Sequence, residues 1–122
     1  MKKTILTITT ILFLVPIVSH ASSEFPSAGI LFTGPVNLTT IDSLLDDNSV
    51  FSKRNAIIDG RIVRQISISS FIFSDGKREI QIEISDKVKL DQSIDERTNL
   101  RIFGRFSGGN SPEIEVDHIQ IL

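Results

Sequence analysis

The sequence contains no cysteine, no tryptophan and no tyrosine, and only two histidines. The absence of cysteine excludes disulfide bonds, thiol nucleophiles and cysteine-ligated zinc. Tryptophan and tyrosine are the amphipathic aromatic residues favoured at sugar and protein contacts, so eight phenylalanines must take that role alone. Since no covalent cross-link is available, the stability of the fold must come from its apolar core.

The N-terminal apolar run is too short for a typical membrane span. Lys2 and Lys3 precede an apolar run from Ile5 to Val18, and the small residues of Ser19-His20-Ala21 follow it. A transmembrane helix needs about 20 apolar residues, whereas a basic start, a short apolar run and small residues are typical of a signal peptide. We expect a signal peptide over residues 1–21, cleavage after Ala21, a periplasmic location and no stable membrane insertion.

The charge balance is mildly acidic. The chain carries 15 acidic and 13 basic side chains, and removal of Lys2 and Lys3 with the signal peptide changes the formal net charge from −2 to −4. The overall field of such a protein does not attract it to phosphate backbones or anionic membranes. The remaining residues 22–122 suffice for one domain with a modest core.

Two segments precede the predicted strands. Residues 22–38 carry two prolines and two glycines without periodicity, which predicts an irregular N-terminal arm that either packs on the domain or docks a partner. Residues 39–122 form the predicted domain, which begins with a short amphipathic helix over about residues 40–47. A threonine at position 39 or 40 can cap this helix, and apolar residues follow at i, i+3 and i+4 spacing.

Beyond the helix the apolar period is two, which is typical of strands. Gly60 is expected to bend the first strand, and Asp75-Gly76 predicts a two-residue turn between the second and third. Five strands, the first of them long and bent, are typical of an OB-fold. The predicted class is therefore all-β, a five-stranded OB-fold Greek-key barrel with one short N-terminal helix. The predicted strands span residues 54–66, 69–74, 78–85, 100–106 and 113–122.

Seven short motifs occur in one order along the chain. They are FTGP (32–35), a threonine-led helix ending in LLDD (44–47), GRIVRQI (60–66), FIFSD (71–75), IQIEI (80–84), IFGRF (102–106) and EIEVDHI (113–119). Together they resemble the bacterial OB-fold (BOF) family of small periplasmic stress-tolerance proteins. The resemblance spans about residues 30–121 and implies a periplasmic barrel linked to envelope stress, with no established catalytic residues. We expect no catalytic site, no metal and no cofactor.

Alternation assigns each side chain of a strand to the core or to solvent. In the hairpin, a two-residue turn would set Phe71 beside Ile80. In the last strand the apolar parity changes near Asp117-His118, which predicts a β-bulge. The expected core residues are Ile58, Ile62, Phe71, Ile80, Ile82, Ile102 and Ile114.

Charged residues fall on the outward faces of these strands. OB barrels close in the order 1-2-3-5-4-1, so the third and fifth strands are neighbours, as are the fourth and first. This order predicts an acidic stripe and a basic stripe on opposite sides of the barrel. The candidate binding residues are Glu79, Gln81, Glu83, Glu113 and Glu115 on the acidic stripe, and Arg61, Arg101 and Arg105 on the basic stripe.

The acidic stripe includes the strand face on which other OB domains present cations and aromatic side chains to oligonucleotides. Phosphate would be repelled there, so we expect no nucleic-acid partner. The stripe is either a solvated face or a contact for a cationic peptide or a cation. The first hypothesis is a non-enzymatic periplasmic binding module that contributes to envelope stress tolerance, with a cationic peptide, an envelope glycan or an envelope protein as its partner.

Other functions are weighed against this hypothesis. An oligosaccharide binder, for example of peptidoglycan fragments, would use loop ends near residues 67–70 and 86–97. A single-stranded nucleic-acid binder would use the three arginines of the basic stripe. An enzyme is disfavoured, because His118 is the only histidine left after cleavage and a convex sheet face gives a pair of carboxylates no cleft.

Overall fold

The structure is a computed structural model that describes residues 32–46 and 53–122. The chain divides into two units, residues 1–33 and 34–122. The predicted signal peptide and residues 22–31 of the predicted arm lie outside the described residues, and residues 34–38 have no regular secondary structure. The second unit contains α1 (Ile41–Leu45), β1 (Lys53–Gln65), β2 (Ser70–Ser74), β3 (Glu79–Ile84), β4 (Leu100–Ser107) and β5 (Glu113–Ile121).

The five strands close into a barrel in the order β1-β2-β3-β5-β4. β3 and β5 run parallel, and the other neighbouring pairs are antiparallel. This arrangement confirms the predicted five-stranded OB-fold barrel with one short helix. Within the described ranges, no helix is long and apolar enough to cross a membrane.

Gly60 lies where β1 passes from one partner strand to another. The residues up to Gly60 pair with β4, and the residues from Arg61 onward pair with β2. A Cβ atom on Gly60 would overlap the carbonyl oxygen of Ser74 and lie 2.9 Å from the ring of Phe73. Because this approach leaves no room for a side chain, glycine allows the close crossing of β1 and β2.

The core lies inside the barrel and beneath α1. It contains all the predicted core residues except Phe71, which is partly buried and packs against it. Phe73 is fully buried instead. The core residues are Ile41, Leu44, Ala56, Ile58, Ile62, Phe73, Ile80, Ile82, Leu100, Ile102, Phe106, Ile114, Val116 and Ile119.

The β2–β3 hairpin differs from the prediction by two residues of register. Phe73 pairs with Ile80 and Phe71 pairs with Ile82, because the connection is the four-residue loop 75–78 rather than a two-residue turn. A shift of two preserves the inward and outward faces. The predicted faces are therefore correct, but the deepest position belongs to Phe73 and not to Phe71.

Two β-bulges adjust the strands. In β5, Phe103 pairs with His118 while Gly104 pairs with Val116, so Asp117 is the extra residue. This bulge confirms the prediction. The second bulge, at Val63 in β1, was not predicted; it leaves Val63 41% exposed at one end of the barrel.

Polar contacts join α1 to the β2–β3 loop. Thr40 caps the helix, since its Oγ1 accepts from the Ser43 N–H at 3.2 Å. Asp75 Oδ2 accepts from the Ile41 N–H at 3.0 Å. Partial burial raises the pKa of Asp75, but the N–H groups of Arg78, Lys77 and Ile41 outweigh it, so the net shift is downward.

Candidate functional site

The predicted acidic residues lie on the outward faces of β3 and β5. Gln81 is the cross-strand neighbour of Glu113, and Glu83 is the neighbour of Glu115. Glu79, on the same face of β3, is exposed. The structure therefore brings the predicted acidic stripe together. Among the residues that the structure describes, no group of three or more potential ligand side chains is arranged to hold a metal ion.

Glu83 is the most constrained member of the acidic stripe. Its two carboxylate oxygens accept hydrogen bonds from the hydroxyl groups of Ser69 and Ser70, one each. These hydroxyl groups lower the pKa of Glu83. Glu83 is therefore held in its ionised form, which suits it to attract a cation and not to act as a general acid near neutral pH.

The prediction that the three arginines form a basic stripe separate from the acidic residues is wrong. Arg101 forms a bidentate pair with Asp59 across β4 and β1, with Nε–Oδ1 and Nη2–Oδ2 distances of 2.7 and 2.9 Å. This pairing raises the pKa of Arg101. Arg105 Nη2 lies 3.6 Å from Glu115 Oε2. The stripes are not on opposite sides, because β4 borders β5 as well as β1.

Arg61 lies in β1, two residues from Asp59, the ion-pair partner of Arg101. It borders an open groove of about 330 Å³ that is also lined by Asp59 and Asp75. Arg61 makes no ion pair with another described residue. Because carboxylates share its groove, Arg61 does not provide a strong anion site.

An aromatic pair that was not predicted lies on the outward face of β4 and β5. The rings of Phe103 and His118 have their centroids 5.2 Å apart, at an interplanar angle of 53°. Strand alternation turns Phe103 outward, because its neighbour Ile102 is buried, and the bulge at Asp117 decides which residue lies opposite it. The pair is separate from the outward face of β2 and β3.

A second open groove lies at the end of the barrel where β1 and β2 meet the β3–β4 connection. Its volume is about 280 Å³. The connection contributes residues 94–96, which fall within the segment 86–97 predicted for a glycan, whereas residues 67–70 do not line the groove. None of the eight candidate binding residues does so either. The lining residues are Ile62, Val63, Arg64, Gln65, Phe71, Ile94, Asp95 and Glu96.

The rim of this groove is shaped by a local turn. Asp95 Oδ1 accepts from the Arg97 N–H at 2.9 Å and from the Thr98 hydroxyl at 3.1 Å. These hydrogen bonds lower the pKa of Asp95. The groove thus combines an apolar floor with an ionised carboxylate on its rim, an arrangement suited to a ligand with both apolar and hydroxyl groups.

A profile of the Bacterial OB fold (BOF) protein family matches residues 32–121. The chain belongs to the BOF family. No curated protein matches this BOF protein. Among solved structures it is similar to the hypothetical protein ygiW from E. coli, with a TM-score of 0.64 and 25% identity, over 77% of this chain and 100% of that one.

Two further solved structures share the fold of this BOF protein. A chain of the S. pombe Stn1-Ten1 complex has a TM-score of 0.54 and 18% identity, over 75% of this chain and 81% of that one. The S. pombe telomere capping protein Ten1 has a TM-score of 0.52 and 19% identity, over 69% and 78%. At this identity the likeness concerns the fold alone. The BOF protein is a small OB-fold protein of the binding type, from a generally non-catalytic family.

Proposed function

We propose that this BOF protein is a non-enzymatic periplasmic binding module that contributes to envelope stress tolerance, and that it binds cationic peptide segments through the acidic stripe. The observation that carries this proposal is the pairing of β3 with β5, which sets Glu83 beside Glu115 and Gln81 beside Glu113. An extended cationic segment lying along the two strands would meet a carboxylate at several successive positions.

The electrostatics favour such a segment over a single ion. Each exposed pair of charges contributes little in water, but several contacts add together, and salt weakens all of them. Glu83 needs no reorientation, because Ser69 and Ser70 already hold its carboxylate. Arg105 offsets part of the charge of Glu115, so the attraction is centred on Glu79, Glu83 and Glu113.

Titration of a fluorescent octalysine peptide into the protein tests the proposed contact. We expect binding that weakens as salt rises, and that weakens further in a Glu79→Gln/Glu113→Gln variant. The matched control is Asp86→Asn/Asp91→Asn, which removes two exposed carboxylates outside the stripe. Equal losses in the two variants would mean that only net charge matters, and the stripe would not be the contact.

The proposed periplasmic location is tested separately from the peptide contact. The periplasmic assignment depends on the order of basic, apolar and small residues before Ser22. Mass spectrometry of protein recovered from a periplasmic fraction is expected to give Ser22 as the first residue. Recovery of chains that begin at Met1 would overturn the assignment without affecting the peptide contact.

A second candidate function is oligosaccharide binding, with peptidoglycan fragments as the ligand class. The groove beside β1 and β2 favours it, because Phe71 and Ile94 form an apolar floor beside polar groups of Gln65 and Asp95. Such fragments are expected to shift the NMR signals of Phe71 and Ile94 while those of Glu79 stay unchanged. Changes centred on the acidic stripe would remove this candidate.

A further inference from the structure

The β1–β2 connection carries two isoleucines that face solvent. Ile66 is 53% exposed and Ile68 is 95% exposed. An exposed large apolar side chain is common, but two of them on one four-residue connection form a protruding apolar tip. We define the apolar tip as Ile66 and Ile68. A contact that covers it would remove apolar surface from water.

Part of the backbone of this connection is hydrogen-bonded internally. The N–H groups of Ile66 and Ser67 donate to the carbonyl oxygen of Ser70. Ser67 Oγ accepts from the N–H groups of Ser69 and Ser70, at 3.4 and 3.1 Å. Gln65 Nε2 donates to the Ser67 carbonyl oxygen at 2.9 Å. Covering the tip therefore leaves these particular groups hydrogen-bonded, and the cost of removing them from water is reduced.

The groove of about 280 Å³ lies at the same end of the barrel as the apolar tip. Its floor is apolar, with Ile62, Val63, Phe71 and Ile94. The 41% exposure of Val63, a consequence of the bulge in β1, adds to this apolar surface. One end of the barrel thus carries both a projecting apolar side chain and an apolar groove that can receive one.

The groove also carries complementary charges. Arg64 lies on the β1 side, and Asp95 and Glu96 lie on the side of the β3–β4 connection. Within residues 32–46 and 53–122, neither Arg64 nor Glu96 forms an ion pair. Two copies related by a two-fold axis would bring Arg64 of each copy toward the acidic side of the other.

We propose that this end of the barrel is a self-association surface, on which Ile68 of one copy enters the groove of a second copy and the reverse contact forms at the same time. A two-fold interface needs one patch that is complementary to itself, and the apolar tip with its neighbouring groove meets that requirement. The patch is small, so the dimer forms at high protein concentration and exchanges rapidly. This inference does not rest on the proposed peptide contact.

A lipid surface fits the same tip less well. Two isoleucines amount to a single weak anchor, and stable membrane attachment takes two signals. Electrostatic attraction to anionic lipids does not supply the second signal, because acidic side chains outnumber basic ones in the chain. A second copy, in contrast, supplies both an apolar groove and opposite charges.

Sedimentation velocity of residues 22–122 over about a hundredfold range of concentration tests the proposal. The weight-average mass is expected to rise from monomer toward dimer. Ile68→Ser is expected to weaken association at least tenfold without lowering the melting temperature, because Ile68 is almost fully exposed. The control is Leu122→Ser, which removes another exposed apolar side chain outside the groove and is expected to leave association unchanged.

Charge reversal gives a second, independent measurement. Arg64→Glu and Glu96→Arg are each expected to weaken association, and the double variant is expected to recover most of it, since the contact between copies reforms with its signs reversed. A protein that stays monomeric throughout, or a dimer that survives Ile68→Ser, overturns the proposal. So does binding to vesicles of anionic lipid that Ile68→Ser abolishes, because the tip would then serve a membrane.

Discussion

Gly60 is the residue on which the close crossing of β1 and β2 depends. A Cβ atom there would overlap a backbone carbonyl oxygen, which cannot move without separating the two strands. We expect Gly60→Ala to lower the free energy of unfolding by about 1–3 kcal/mol, the usual cost of overpacking. Urea denaturation measures this change. Asn55→Ala, at an exposed position of β1, is the control and is expected to stay within about 0.5 kcal/mol of the wild type.

Asp75 gives the stability of the fold a dependence on pH. Its pKa is lower in the folded state, so the ionised form contributes stability above the unfolded pKa of about 3.9, and this contribution is lost as the pH falls through the folded pKa. We expect Asp75→Asn to be less stable than the wild type at pH 7, and the difference to shrink as the pH falls below about 4.

Denaturation midpoints measured from pH 7 downward test this expectation. Asp86→Asn removes one exposed carboxylate and is the matched control for net charge. If the stability difference between Asp75→Asn and the wild type stays constant down to pH 2, the contribution of Asp75 does not depend on its ionised carboxylate.

At the scale of elements, two ion pairs that join neighbouring strands are expected to differ in strength. Asp59–Arg101 joins β1 and β4 in a bidentate geometry, with side chains 31% and 19% exposed. Arg105–Glu115 joins β4 and β5 through one 3.6 Å contact, with both side chains about half exposed. We expect a larger coupling energy for the first pair in double-mutant cycles, because bidentate geometry and reduced solvent screening both strengthen it.

The two cycles serve as controls for each other. Asp59→Asn and Arg101→Gln form the first cycle, and Arg105→Gln and Glu115→Gln form the second. Raising the salt concentration is expected to reduce the second coupling more than the first. Equal couplings at low salt would contradict the argument from geometry.

The β2–β3 hairpin shows which structural features the local sequence pattern predicts and which it does not. Alternation gave the inward faces of both strands, since a period of two survives a register shift of two. The four-residue loop closes through local hydrogen bonds: the Asp75 N–H donates to the Arg78 carbonyl oxygen, and Asp75 Oδ1 accepts from the N–H groups of Lys77 and Arg78. The Asp-Gly pair correctly signals a turn here, but it is compatible with more than one loop length, so it does not fix the register. The bulge at Asp117 was predictable, because a change of apolar parity is a local signal.

At the scale of the whole molecule, the open groove was the feature hardest to predict. Its residues come from the end of β1, the start of β2 and a connection about 30 residues further along, so no local period links them. The charge distribution was predictable only in part. Strand order and alternation correctly predicted that Glu83 and Glu115 lie on one surface. The same strand order also places Arg105 beside Glu115. The expectation of two opposite stripes overlooked this second neighbour.

The field of the whole barrel leads to a prediction about nucleic acid. The outward residues of β2 and β3 are Ser70, Ile72, Ser74, Glu79, Gln81 and Glu83. This face therefore lacks the aromatic platforms that contribute about 1–3 kcal/mol per stacked base in single-strand binders. Of the three candidate arginines, Arg101 and Arg105 lie within ion-pair distance of carboxylates. We expect no measurable binding of single-stranded DNA or RNA at about 150 mM salt.

Fluorescence anisotropy with a labelled oligonucleotide tests this expectation across a range of salt. Any binding at low salt is expected to decrease in Arg61→Ala, because Arg61 is the candidate arginine that forms no ion pair with another described residue. Lys87→Ala, which removes a positive charge from the exposed β3–β4 connection, is the matched control. Micromolar affinity at about 150 mM salt that Arg61→Ala leaves unchanged would contradict the argument.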